Sequence, residues 1–172
     1  MTEPPRRWGD LKLARVAVAM LLSATGLVAL TPGTGITESC WNYKRADRKM
    51  AKKINGARSN HGNVRLRLDP ELSKVARVQA RRMADKNTLY HTKNLGTKVT
   101  NWNKVGENVG YGNSVRQLHK MFMNSSGHRA NILRSSYRHV GVGSKRAGGW
   151  LWISVVFEAK KNPGTTFGMP NC

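Results

Sequence analysis

The sequence predicts an α+β domain laid out as a three-layer α-β-α sandwich, and three observations carry that expectation. In the stretch 150–157, Trp150, Trp152, Ser154 and Val156 alternate with Leu151, Ile153, Val155 and Phe157, so both faces of a strand there are largely apolar. A strand buried on both faces needs a layer of structure on each side. Two amphipathic helical patterns with start signals lie upstream, and helices and strands are interleaved without βαβ regularity. No internal repeat or low-complexity segment interrupts them.

Residues 1–36 are expected to be a targeting segment. Arg6, Arg7, Lys12 and Arg15 precede an apolar run, Val16–Leu30, broken only by Ser23, Thr25 and Gly26. That run is short for a bilayer span, which needs about 20 residues, and suits the apolar region of a secretory signal. TPGTG (31–35) is where processing would fall. It lacks a clean A-x-A site, so an uncleaved signal anchor, tethering the chain to the membrane, is the alternative. Residues 37–46 are an N-terminal extension, 47–158 the folded domain and 159–172 a C-terminal tail.

Within the domain, Met50, Ile54 and Ala57 recur at helical spacing from about Asp47, and Asn60-His61-Gly62 ends that helix. Asp69-Pro70-Glu71 opens a second helix with a cap, a proline in the first turn and an acid at the positive dipole end. Leu72, Val75, Ala76, Ala80 and Met83 give it one apolar face, and Arg77, Arg81, Arg82 and Lys86 a solvated one. Residues 92–104 are polar and predict a loop, and Val105–Tyr111 a short strand. Ser114 caps a third helix with Val115, Leu118 and Phe122 inward. Ser125 or Ser126 caps a short fourth helix bearing His128. Two strands, Arg138–Ser144 and Trp150–Phe157, are joined at Lys145–Gly149. Core packing of Trp150 and Trp152 is favoured over a platform for sterol or sugar.

The chain has 172 residues, with 30 Lys+Arg against 9 Asp+Glu and a formal charge of +21. Beyond residue 36 there remain 26 basic and 7 acidic side chains, a net +19, so the excess belongs to the folded part. Such a field favours polyanions. Export removes chromosomal DNA as the obvious partner, leaving anionic envelope polymers or acidic lipids, with no specific nucleic acid. Two cysteines, Cys40 and Cys172, bracket the exported region. In an oxidising compartment they favour a disulfide stapling the termini, worth roughly 4–5 kcal/mol on the chain-entropy model. Lipidation of Cys40 is the alternative.

Three junctions carry the candidate chemistry: LYHT (89–92), GENVG (106–110) and SSGHRANIL (125–133). They point to one cleft holding His91, Glu107 and His128. Two neutral imidazoles and a carboxylate suit zinc with an open fourth position, where a bound water could be activated for hydrolysis. Against catalysis, there is no HExxH and no evident second carboxylate to serve as general base. Ser125 and Ser126 fit an N-cap better than a nucleophile. The structural alternative is that the trio hydrogen-bond one another and knit sheet to helices. His61, His119 and His139 are expected in loops or on the surface. Asn108 and Asn131 are expected to satisfy backbone groups, and Arg58 to anchor the first helix through a buried polar pair.

The ordered set IN-x-x-R (54–58), HG (61–62), L-x-L-D-P-x-L (66–72), V-A (75–76), L-x-H (89–91), GENV (106–109), S-x-G-H-R-x-N-I-L (125–133) and G-V-G (141–143) resembles a CAP domain. That superfamily covers cysteine-rich secretory, antigen 5 and pathogenesis-related 1 proteins, and the match is nearest its short secreted bacterial branch of SCP-like extracellular proteins. The resemblance implies an α-β-α sandwich with a central cavity lined by His91, Glu107 and His128. A second acid, found in many members just after a tryptophan, has no counterpart in Phe122-Met123-Asn124-Ser125. Ser126 stands where bacterial members often have proline. The expected function is therefore a secreted, monomeric binding or interaction module at the envelope or outside the cell. Its cavity would take a divalent metal, zinc above all, or a small lipid-like ligand. The alternatives are a metal-dependent hydrolase using the same cavity, and a cationic antimicrobial or polyanion-binding protein.

Overall fold

A four-stranded sheet in the order β1-β4-β5-β3 forms the middle layer. The computed structural model describes residues 41–159 and 162–170, all within the unit Thr37–Cys172. The targeting segment, Cys40 and Cys172 lie outside the described residues. The sheet strands are β1 (Arg67–Leu68), β3 (Val105–Gly112), β4 (His139–Ala147) and β5 (Trp150–Glu158). β1 runs parallel to β4, and β5 pairs antiparallel with both β4 and β3. Helices α1 (Arg45–Asn60), α4 (Val115–Asn124) and α5 (Ser126–Leu133) touch one another on one side, and α2 (Pro70–Asp85) covers β4 and β5 on the other. The three-layer α-β-α arrangement is the predicted one.

β5 is the reason for the layering. Leu151, Ile153, Val155 and Phe157 pack with Met50, Ile54, Leu118, Phe122 and Ile132 of the three-helix layer. On the other face Val156 meets Leu72, Val75 and Ala76, while Trp152 meets Met83, Ala84 and Val109. Every residue of β5 except Trp150 is buried. The two tryptophans therefore part company: Trp152 is core, and Trp150 stands at the surface.

The helix starts follow the sequence signals. Leu72 N–H donates to Asp69 Oδ1 at 2.8 Å, with Pro70 in the first turn, and Gln117 N–H donates to Ser114 Oγ at 3.2 Å. Ser125 occupies the N-cap position of α5 but makes no side-chain cap bond. The β4–β5 hairpin is longer than expected. It closes through Gly148 and Gly149 with φ of +55° and +77°, the two-residue left-handed turn that glycine supplies without steric cost.

Gly141 and Gly143 of β4 sit where α2 presses onto the sheet. A Cβ at Gly141 would overlap the Leu72 carbonyl carbon, and one at Gly143 would overlap the backbone nitrogen of Arg77. The G-V-G element is a contact surface for a helix backbone.

Two expectations need correction. The loop 92–104 contains a helical turn, α3 (Leu95–Lys98), and a strand, β2 (Val99–Thr100), which pairs with β6 (Gly164–Thr165) of the C-terminal segment. His139, expected at the surface, is buried on β4 with Nδ1 3.5 Å from Glu158 Oε2. Arg58 is fully buried among polar partners, as expected, and these are four carbonyls: those of Val64, Ile132 and Arg134 at 2.8 Å and of Tyr137 at 3.4 Å. The last turn of α5 and the chain after it leave carbonyl groups without helical partners, and the guanidinium gathers them.

Candidate functional site

β3 lies at one edge of the sheet and builds the site on both of its faces. Consecutive side chains on a strand point to opposite faces. Glu107 accordingly reaches Ser154 on the α2 side, whereas Asn108 reaches α5.

Glu107 is buried, and its carboxylate is fully used. Oε1 accepts from Thr92 Oγ1 at 2.7 Å and from Ser154 Oγ at 2.9 Å. Oε2 accepts from Thr92 N–H at 2.8 Å and lies 3.0 Å from His91 Nδ1. An ionised carboxylate offers about four lone-pair positions, so these bonds fill them. When the His91 ring is neutral and gives Nδ1–H to the carboxylate, its lone pair is left on Nε2. The His91 side chain is 62% exposed, against 3% for Glu107.

His128 is delivered by α5, whose position is set by two asparagines. Asn108 Nδ2 donates to the His128 carbonyl at 2.9 Å. Asn131 Nδ2 donates to Asn108 Oδ1 at 2.9 Å and to the Glu107 carbonyl at 3.3 Å. Both asparagines thus satisfy backbone groups, as the sequence suggested. His128 Nδ1 lies 3.0 Å from Ser125 Oγ, and its ring leans on Phe122 with centroids 4.9 Å apart. Burial, and then the charge of His91, hold the His128 imidazole below its usual 6.5.

His91, Glu107 and His128 therefore share one edge of the sheet but do not form a mutually bonded trio. His91 belongs to Glu107, and His128 belongs to Ser125. Among the described residues no group of three or more His, Cys, Asp or Glu could hold a metal ion. His61 is exposed, with Nδ1 2.8 Å from the Ala57 carbonyl, and His119 is half-buried between α1 and α4.

Beside His128 opens a cavity of about 420 Å³; of the three residues expected to line a central cavity, only His128 borders it. Val109, Gly110, Tyr111 and Gly112 of β3 form one wall and Leu118, Met121 and Phe122 of α4 another, with Leu89 and Trp150 at the rim. Gly110 and Gly112 pack tightly here, since a Cβ on either would lie 3.0 Å from the side chain of Phe122 or Gln117. Six large apolar side chains are exposed among the described residues. Four of them (Leu89, Tyr111, Met121 and Trp150) line this one cavity. Tyr111 stacks on buried Trp152 at 4.7 Å and meets Trp150 edge-on at 5.6 Å. Leu89, Tyr111 and Trp150 also border a neighbouring space of about 440 Å³ that adds Asn87, Thr88 and Trp152. The missed signal was the cluster of Tyr111 with Trp152 and Trp150 at the hairpin end: the β3–β5 register sets Tyr111 opposite Trp152, and Trp150 meets it edge-on.

Comparison with known proteins agrees with this architecture. The sequence profile of the CAP family, described as the cysteine-rich secretory protein family, matches residues 51–157. The uncharacterized protein YkwD of Bacillus subtilis is 32% identical over 118 residues, 62% of this chain and 44% of YkwD. An extracellular protein containing an SCP domain from Bacillus anthracis superposes with a TM-score of 0.59 at 22% identity, covering 67% of this chain and 40% of that one. An outer surface protein from Borrelia burgdorferi superposes with a TM-score of 0.61 at 18% identity, covering 66% of this chain and 92% of that one. The chain thus spans less than half the length of the two Bacillus proteins. Since the profile match takes in all of β3, α4, α5, β4 and almost the whole of β5, the chain belongs to the cysteine-rich secretory protein, or CAP, family and is of its bacterial type.

Proposed function

We propose that this chain is an extracellular CAP-domain binding module whose cavity takes an elongated apolar ligand with one polar end. The observation that carries the reading is the concentration of four exposed large apolar side chains around the cavity beside His128. Exposed apolar side chains scattered singly need no explanation, but a concave group with a few polar atoms fits a ligand site. Ser125, Gln117 and His128 supply the polar end. Placement outside the cell draws on the extracellular and outer-surface proteins that share the fold. No helix among the described residues is long and apolar enough to cross a membrane. The cationic surface would hold the module to anionic envelope polymers.

Binding is favoured over hydrolysis by the state of Glu107. To act as a general base, its carboxylate would first have to give up bonds to Thr92, Ser154 or His91. A second reading, reversible zinc binding, draws support from the two imidazoles. Each has Nδ1 within hydrogen-bond distance of a neighbour, and the charge of His91 is felt at His128. In that reading His91 and His128 would hold the ion, Glu107 would orient His91, and the remaining positions would fall to water or ligand.

The test is titration of the full chain with a long-chain fatty acid, beside an L89D/M121D variant. Both positions are exposed, so the variant is expected to melt like the parent, while affinity falls about tenfold or more from lost apolar burial. Equal binding by both proteins would remove the cavity from consideration. Calorimetric zinc titration of the parent and an H91A/H128A variant decides the second reading. Binding that survives in the variant would place zinc elsewhere.

A further inference from the structure

The molecule is basic throughout, but its acids are distributed unevenly. Among the described residues Asp47, Glu107 and Glu158 are buried, and Asp69, Glu71 and Asp85 all belong to α2 or its cap. The three-helix layer on the opposite side of the sheet exposes no carboxylate among these residues. α1 turns Met50, Ala51, Ile54 and Arg58 inward and exposes Arg45, Arg48, Lys49 and Lys52. These four recur at i, i+3, i+4 and i+7, one continuous stripe about 10 Å long. α4, in contact with α1, exposes Arg116 and Lys120 one turn apart. None of these six cations forms an ion pair with a carboxylate among the described residues. The α2 side differs. Arg77 there is tied to Asp47 at 3.1 Å and stacked on Trp41 at 3.9 Å, and Glu71 and Asp85 share the helix.

From this asymmetry we infer that the outer face of α1 and α4 is the docking surface for a phosphodiester polymer of the cell envelope, separate from the cavity. The inference rests on the envelope-binding part of the proposed function and assigns it a place. The cations lie along two rods and do not converge on a point, so they suit a long chain that engages several at once rather than a small anion. Each contact releases a counterion from such a chain, and the released ions supply the affinity. Single-stranded nucleic acid binds through aromatic stacking as well as charge. Among the described residues the exposed aromatic side chains are Trp102, Tyr111 and Trp150; none belongs to α1 or α4, and Tyr111 and Trp150 line the cavity. A bilayer surface calls for an apolar wedge beside the cations. α1 exposes no large apolar side chain, and the exposed Met121 of α4 faces the cavity.

Two variants of the full chain with equal charge change separate this surface from net charge: K49E/K52E/R116E/K120E on α1 and α4, and K74E/R81E/R82E/K86E on α2. Binding to fluorescently labelled poly(glycerol phosphate) is followed by anisotropy at several salt concentrations, with thermal melts confirming that both variants fold. Losing four contacts is expected to lower the slope of log affinity against log salt by roughly 3, at about 0.7 per contact for a single strand. The α1/α4 variant is expected to lose about thirtyfold or more in affinity near 0.15 M salt and the α2 variant about threefold or less, since screened charges at a distance matter little. Equal losses would overturn the face and leave envelope binding standing. Failure of the parent to bind the polymer would overturn the envelope reading itself. Equal or tighter binding of single-stranded DNA, or of vesicles of phosphatidylglycerol, would overturn the choice of polymer.

Discussion

Glu107 and Arg58 are both buried and ionic, and neither has a partner of opposite formal charge that is itself buried. Glu107 is satisfied by two hydroxyls, one backbone N–H and the exposed His91. Arg58 is satisfied by carbonyls alone. Because each charge lies out of water, removing it strands every group turned toward it. Arg58→Met is expected to cost about 3 kcal/mol or more, read from urea unfolding, since it leaves buried carbonyls unpaired. A loss below about 1 kcal/mol, within the range of a surface change, would mean that water takes the guanidinium's place. His128 and His119 carry a pH dependence of definite sign. Burial lowers the affinity of both rings for a proton, with the charge of His91 adding to the effect at His128 and that of Lys53 at His119. Between each folded value and the ordinary 6.5 the unfolded chain binds more protons, so stability rises with pH in that window. Raising the pH from below about 6 to above about 7 should therefore raise the urea midpoint, and H128Q/H119Q should flatten the rise. A parent midpoint independent of pH across that window would contradict the assignment.

At the scale of elements, α2 and β4 are joined through the missing side chains of Gly141 and Gly143. Gly141→Ala drives a methyl into a helix backbone atom, an overlap that no side-chain rotation relieves. The expected loss is about 3 kcal/mol or more, from overpacking at a rigid contact. Gly56→Ala on α1, where nothing lies within 4 Å, serves as the control and should stabilise by up to about 1 kcal/mol. Thermal melts of the two variants decide the matter, and similar melting temperatures would refute the close approach. The same elements show what was legible beforehand. The caps at Asp69 and Ser114, the inward stripes of α1, α2 and α4, and the doubly apolar β5 all follow from periods that can be counted along the chain. β1, β2 and β6 have two residues each, too few to show any period, and they exist because neighbouring chain holds them. His139 was misplaced for a related reason. It falls within the expected strand Arg138–Ser144, but a histidine there reads as a surface residue, whereas pairing with Arg67 on one side and Glu158 on the other closes the sheet around it.

For the whole molecule, the site was legible as a set of residues but not as a geometry. The motifs around His91, Glu107 and His128 led to one edge of the sheet, because each residue sits in a junction with turn or capping signals, but only His128 borders the cavity. That Glu107 turns to one face of β3 and Asn108 to the other depends on register with β5, which no local pattern encodes. The cavity is likewise a product of assembly, with walls from β3, α4 and α5 and a rim from the segment after α2 and the hairpin end. Ligand and polymer are assigned to different faces, so the two activities should be independent: K49E/K52E/R116E/K120E is expected to bind fatty acid as the parent does, and L89D/M121D to bind poly(glycerol phosphate) as the parent does. Loss of both in either variant would join the two surfaces into one.

The position of β3 has one more consequence. As an edge strand it is held in the sheet by β5 alone, while its side chains carry the site to both helical layers. Detachment of this single strand would scatter His91 from His128 and open the cavity wall, yet leave the β4–β5 hairpin with α2 on one face and α1 on the other. Recognition should accordingly vanish at lower denaturant than helicity does, and amide protons of β3 should exchange before those of β5. The molecule would lose its competence for ligand while still resembling itself by circular dichroism.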